Sequence, residues 1–297
     1  MIVGRSRAIS ALTGLPGSSL ARGEIWVAPA VLESQGLPNS AAGVVGLAAR
    51  LGADLCFLSC TGPQAVPMRT ETMREAVSLV HERDLACGAV VDGPWQRLAE
   101  RDGLFPIIAK LGGHIEETER QVSSMASLAG EELSAWCDAG ADLVLLADDI
   151  AYNRGPYFSP TLLKRLLLPL YRNLLLSAGE RGVPMGFHSD GDLTLILQDL
   201  TETGFSLFSL EPEAMDLSEV RHRFGDKFTL IAGIRASWLD GSGQFGSGES
   251  GLRREISSLA SLGRMILSSS CGLYAPSSVA RLADVYRVAD GVVQGDG

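Results

Sequence analysis

The sequence is short of several things, and each shortage closes off a class of function. No apolar run approaches the roughly 18 residues that a membrane-crossing helix needs, and the opening MIVGRSRAISALTG has no long apolar core of a secretion signal. No cluster of lysine or arginine offsets a net charge of −10. Nucleic acid is therefore a poor partner. No G-x-G-x-x-G follows the first apolar run, which argues against a dinucleotide-binding sheet. Cysteines number five, an odd and scattered set (Cys56, Cys60, Cys87, Cys137, Cys271). They make no disulfide framework and no zinc-ribbon pair, and they suit a reducing cytoplasm.

What remains is ordered. Eight short apolar runs read as strands: Glu24–Ala28, Asp54–Ser59, Ala86–Val91, Leu143–Ala147, Pro184–His188, Ser206–Leu210, Phe228–Ala232 and Met265–Ser268. A helical stretch follows each, including Pro94–Arg101 with a long continuation to Asp138, and Ser159–Glu180, which Pro169 should kink or divide. Strict alternation of strand and helix predicts an α/β fold, a (β/α)8 TIM barrel in one domain. The strands are apolar throughout because both faces of such a sheet are covered. An open doubly wound sheet is the alternative. LGADLCFLS (Leu51–Ser59) and AGADLVLLA (Ala139–Ala147) reuse one helix–turn–strand device. The domain is expected to span 1–297, with 1–23 as an N-terminal extension. The Gly/Ser-rich stretch at 240–251 is expected to be a flexible loop, serving as a lid if it lies on the active rim.

In such barrels the functional side chains follow the strand ends on one rim. Those positions hold Asp92, then Asp148 and Asp149, then His188 and Asp190, Glu211 and Glu213, Arg235, and Cys271. Each has an ordinary role to weigh against a chemical one. His188 could be a core histidine, Asp190 a helix cap, Cys271 a small buried apolar group, and one of Asp148 and Asp149 an anchor for its loop. Asp192 is better read as a cap. Taken together, His188, Cys271 and one carboxylate form a donor set that zinc accepts in open catalytic sites.

Three segments resemble the uroporphyrinogen decarboxylase superfamily. They are Gly140–Phe205 (GADLVLLADDIAYNRGPYFSP through GVPMGFHSDGD to TETGF), Ser209–Ile234 (SLEPEAMDLSEVRHRFGDKFTLIAGI) and Ile266–Leu282 (ILSSSCGLYAPSSVARL). The likeness runs from about Val90 to the C-terminus and implies the same barrel. One branch of that superfamily decarboxylates a tetrapyrrole without a cofactor and grips its carboxylates with N-terminal arginines. The corresponding stretch here, GEIWVAPAVLESQG, contains none. The other branch moves methyl groups between a corrinoid and a thiol or similar acceptor. It holds zinc with H-x-C and a later cysteine, which match His188 and Cys271, while Asp190 stands at the middle cysteine.

The resemblance therefore implies a metal-dependent methyltransferase with zinc as the metal and a corrinoid as substrate or partner-borne cofactor. Its metal ligands would be His188, Cys271 and Glu211. Asp148, Asp149 and Asp190 would be catalytic, and Asp92, Tyr152, Arg154 and Arg235 would contact substrate. Expected partners are a small-molecule substrate and a corrinoid protein, with a homodimer as the assembly to look for and neither nucleic acid nor membrane. A decarboxylase acting on a tetrapyrrole or other carboxylated substrate is the second reading. A non-catalytic corrinoid- or tetrapyrrole-binding protein is the third.

Overall fold

In the computed structural model, residues 4–14, 20–242, 248–269 and 272–294 are described. Eight parallel strands form one sheet: β1 (Ala21–Arg22), β2 (Leu55–Ser59), β3 (Ala86–Asp92), β4 (Leu143–Ala147), β5 (Met185–His188), β6 (Leu207–Ser209), β7 (Thr229–Ile234) and β8 (Met265–Ser269). Their order around the sheet is β1-β8-β7-β6-β5-β4-β3-β2, so strands consecutive in sequence are neighbours and the two ends, β1 and β2, come round to each other. The result is a nearly closed (β/α)8 barrel with helices outside, as alternation predicts. Side chains alternate along each strand. In β2, Leu55 and Phe57 enter the barrel interior with Val90, Leu145, Leu207, Ile231 and Ile266. Cys56 and Leu58 face the helices. Both faces are dry, which explains the continuous apolar strands.

Seven of the eight strands lie within a residue or two of their sequence positions. The first does not: it pairs at Ala21–Arg22 rather than at Glu24–Ala28. Beyond Arg22 the chain follows the last strand and its loop without a continuous ladder: Gly23 N–H donates to Leu267 O at 3.2 Å, and Val27 forms a single parallel bridge with Leu273, closed by Leu273 N–H to Trp26 O at 2.9 Å and Ala28 N–H to Leu273 O at 2.7 Å. The apolar run IWV is used differently. Ile25 fills the barrel and Trp26 lines its mouth, while Glu24 is buried between Ser269 and Tyr286, which donate to its carboxylate. Burial raises the Glu24 pKa above the usual carboxylate range.

The helices show similar local corrections. The long stretch from Pro94 breaks into Pro94–Asp102, Leu104–Lys110 and Ile115–Ala139, interrupted at Gly103 and again before Ile115. Pro169 divides its helix as expected, giving Pro160–Leu166 and Leu168–Gly179. Of the Gly/Ser stretch at 240–251, residues 243–247 lie outside the described residues, and a helix already begins at Glu249. Among the described residues, no helix is long and apolar enough to cross a membrane.

The N-terminal helix Gly4–Thr13 packs against the barrel interior. Ala8, Ala11 and Leu12 bury among the inward side chains, and Thr229 Oγ1 donates to Ala11 O at 2.9 Å. The same helix delivers Arg7 to the seam between β1 and β2. No ladder joins those strands; Asp54 does. Its N–H donates to Arg22 O at 2.8 Å. Its carboxylate accepts from Arg22 N–H at 3.0 Å, Arg22 Nε at 3.3 Å and Arg7 Nη1 at 3.4 Å. All three side chains are at most 5% exposed. Asp54→Ala leaves two buried guanidiniums short of a partner. It should cost on the order of 3 kcal/mol in urea unfolding, and Asp54→Asn, which keeps an acceptor for Arg22 N–H, should cost less.

Candidate active site and metal centre

The C-terminal rim gathers most of the groups that follow strand ends. His188, the last residue of β5, is 3% exposed. Its Nδ1 lies 2.9 Å from Ser209 Oγ at the end of β6, and its ring meets Trp26 edge-on at 4.7 Å. These two contacts fix the imidazole plane. Nε2 then points to the rim, 3.4 Å from Asp190 Oδ1. Asp149, leaving β4, accepts the Asp190 N–H at 2.9 Å. One ligand atom each from Asp149, His188 and Asp190 falls within 4.8 Å of the others.

Two local devices hold the β5 loop in this shape. Gly191 has φ +87°, and a Cβ there would lie 2.4 Å from the Tyr152 carbonyl carbon. Only glycine allows that approach. The neighbouring hairpin, Ala151–Tyr152 with Gly155–Pro156, is thereby clasped to the loop, and Asp192 N–H donates to Tyr152 O at 2.9 Å. Ser189 Oγ meanwhile accepts from Ile150 N–H at 3.1 Å.

The adjacent aspartates have separate positions. Asp148 is fully buried beneath the helix Pro94–Asp102. It accepts from Gln96 N–H at 2.6 Å and from Tyr171 Oη at 2.6 Å. Gly93 is required here, because a Cβ would sit 2.2 Å from the Asp148 carboxyl carbon. Burial pushes the Asp148 carboxyl up to about 7, against the pull of its hydrogen bonds to Tyr171 and the helix N–H groups. Asp148 is thus the anchor, and Asp149 faces the cleft.

That cleft, about 430 Å³, is lined by Trp26, Asp92, Gln96, Glu100, Asp149, His188, Asp190 and Tyr274 among others. Burial raises the carboxyl pKa values of Asp149 and Asp92, whereas the hydrogen bond from His188 lowers that of Asp190.

Other expected residues lie around or away from this cluster. Glu211 is next to it, its Oε2 accepting from Gly191 N–H at 2.7 Å; burial raises its pKa. Tyr152 is exposed and stacks on Tyr157, and Arg154 is exposed at the hairpin turn. Arg235 donates to Pro212 O at 2.9 Å and, with Glu213, lines a separate cleft of about 320 Å³. Cys271 lies outside the described residues.

Among the described residues, then, His188 is grouped with Asp149 and Asp190, and Glu211 is engaged by a backbone N–H. Trp26, Ser209, Glu100 and Tyr274 were not anticipated. Ser209 could have been found as the last residue of the sixth strand. Trp26 was hidden inside the run taken for the first strand.

One imidazole nitrogen and two carboxylate oxygens, open to a cleft, fit a divalent cation. Compared with H-x-C and a second cysteine, the set is harder and suits Mn²⁺ or Fe²⁺ as well as Zn²⁺. Ser209 is in position to fix the ring nitrogen not used for the ion.

The Asp148 shift has a sign that can be measured. Its carboxyl titrates at about 7 when folded against an ordinary 3.8. The stabilisation is therefore complete below pH 3.8 and is lost as pH rises through 7, by about 1.4 kcal/mol per unit. In Asp148→Asn, Oδ1 can still accept from Gln96 N–H and Nδ2 can donate to Tyr171. Unfolding free energy, followed by urea titration across pH 5–8, should fall less with rising pH in the variant than in the parent. Equal slopes would mean that Asp148 titrates normally.

The comparisons agree with this geometry at the level of fold and family. Structurally, the chain resembles a methyltransferase from Methanosarcina mazei, with TM-score 0.76 and 16% identity over 98% of this chain and 99% of that one. It also resembles the 3-keto-D-glucoside 4-epimerase YcjR from E. coli, with TM-score 0.57 and 13% identity over 91% and 99%. A third is the D-allulose 3-epimerase from Methylomonas sp., at TM-score 0.58 and 13% identity over 92% and 98%. At such identities the likeness is one of fold. No curated protein sequence matches the chain significantly. The sequence does match the family described as uroporphyrinogen decarboxylase (URO-D) over residues 59–291, and the chain belongs to that family.

Proposed function

We propose that this protein is a metal-dependent methyltransferase that moves a methyl group between a corrinoid and a small acceptor, a thiol or similar nucleophile. The observation that carries the reading is the convergence of Asp149, His188 and Asp190 at the barrel mouth, within 4.8 Å and facing a cleft. The likeness to the Methanosarcina methyltransferase fold supports it. Asp149, His188 and Asp190 would hold the ion. When bound, a divalent ion supplies Lewis-acid stabilisation of the deprotonated acceptor.

The chain's own groups do the rest. Ser209 and Trp26 hold the His188 ring in one orientation. Asp92 lies in the same cleft with its pKa raised by burial. It is placed to take the acceptor's proton as the nucleophile forms. Asp148 has no such role, because Tyr171 and the helix N-terminus occupy it. Decarboxylation of a polycarboxylate fits less well, since the cleft offers carboxylates where that substrate needs cations.

Calorimetric titration of chelator-treated protein with Mn²⁺ and Zn²⁺ tests the metal. One ion per chain should bind, and binding should vanish in His188→Ala. Ser209→Ala should weaken it about 10- to 100-fold. Asp190→Cys should shift preference toward Zn²⁺ by restoring a soft ligand. Methylcobalamin with a panel of thiols tests the reaction, read as loss of the methyl–cobalt absorption band. Absence of a bound ion at one equivalent, or an ion indifferent to His188→Ala, would sink the metal assignment.

A further inference from the structure

The acidic cleft at His188 is half of a larger depression. A second chamber of about 440 Å³ adjoins it on the β1–β2 side. Trp26, Thr61, Gly62, Asp92 and Tyr274 line both chambers and form the waist between them. The second chamber has a different chemistry, walled by Ile25, Val44, Phe57, Leu58 and Val90. A ligand filling both halves must carry an apolar body and a polar end.

Charge restricts the polar end. The acidic half presents Asp92, Glu100, Asp149 and Asp190. Among the described residues, no lysine or arginine lines either half, and the residues outside the described set include none. Arg97, in the helix that follows β3, lines neither half; it donates to Asp92 O at 2.7 Å and to the buried Glu132. A divalent ion at the triad would be balanced by Asp149 and Asp190. Asp92 and Glu100 would still be left over. Asp92 sits at the waist with the aromatic rings of Trp26 and Tyr274, and Glu100 lies in the acidic half beyond it; aromatic rings beside carboxylates are a setting that attracts organic cations.

We propose that the cleft binds an organic cation, an amine or quaternary ammonium on an apolar body. The body lies in the Ile25–Phe57 chamber and the charge at the waist against Asp92, Trp26 and Tyr274, with Glu100 in the acidic half beyond. This selects an amine-bearing substrate over an anionic one. It rests on the proposed reaction only for the statement that the reacting end faces His188.

Binding can be read without turnover, so failure of methyl transfer and failure of this assignment are separable. Full-length protein, treated with chelator, is titrated with phenethylammonium, 2-phenylethanol and 3-phenylpropionate, following tryptophan fluorescence and heat. Phenethylammonium should bind about tenfold or more tighter than the anion, a gap of about 1.4 kcal/mol. The neutral alcohol should fall between them. Asp92→Asn with Glu100→Gln should remove most of the preference, weakening the cation far more than the alcohol. Trp26→Ala should weaken cation and alcohol together. Circular dichroism checks that each variant is folded. Repeating the titration with Mn²⁺ present should keep the preference. The proposal is overturned if the anion binds as tightly as the cation, if none of the three binds, if the double variant keeps the preference, or if Mn²⁺ abolishes it.

Discussion

Closure of the barrel depends on one buried carboxylate. A (β/α)8 sheet must bring its last free edges together, and here β1 is only Ala21–Arg22, too short to ladder with β2. Asp54 takes over that work, bonding the β1 backbone through both its N–H and its side chain. Its two guanidinium partners come from the N-terminal helix and from β1 itself. The helix beneath the barrel, the seam and the first loop of the mouth are therefore mechanically one unit. Trp26, four residues beyond Arg22, inherits its position against His188 from that unit. An interaction at one side of the barrel thus reaches the functional rim through a very short piece of chain.

The rim itself shows how burial divides labour between like residues. Asp148 and Asp149 are chemically identical neighbours at the end of β4. The pleat turns Asp148 under a helix, where Tyr171 and backbone N–H groups saturate it, and leaves Asp149 facing the cleft. The first is a structural group with a raised pKa and no access to a ligand. Burial raises both carboxyls, so a raised pKa does not tell the two apart. Position relative to the cleft separates the two.

Much of the architecture was legible because a parallel barrel writes its strands as apolar runs and its turns as glycines. Leu143–Ala147 was read to the residue, and His188 and Asp190 were found as the ending of a strand. The exceptions have physical causes. In β1 the barrel needs only two paired residues, so the more strand-like IWV was mistaken for the strand. The break at Gly103 was missed because the next helix, Leu104–Lys110, starts at the very next residue. Within the site, the metal-ligand set read from the family pattern did not include Asp149. Sequence order says that two aspartates follow β4, but only the packing of Tyr171 and Gly93 decides which of them the cleft receives. Arg235 follows a strand end as the rule demands, yet a bond to Pro212 draws it into another cleft.

The clasp at Gly191 carries a consequence for how such a protein can change over generations. The backbone around Asp190 is held by its neighbours: Ser189 to Ile150, Gly191 against Tyr152, Asp192 to Tyr152. The Asp190 side chain contributes nothing to that hold, and more than half of it is exposed. Residue 190 is thus a socket whose shape is guaranteed from both sides, where carboxylate and thiolate can be exchanged with little penalty to folding. The donor atom offered at residue 190 can therefore change while the barrel stays the same.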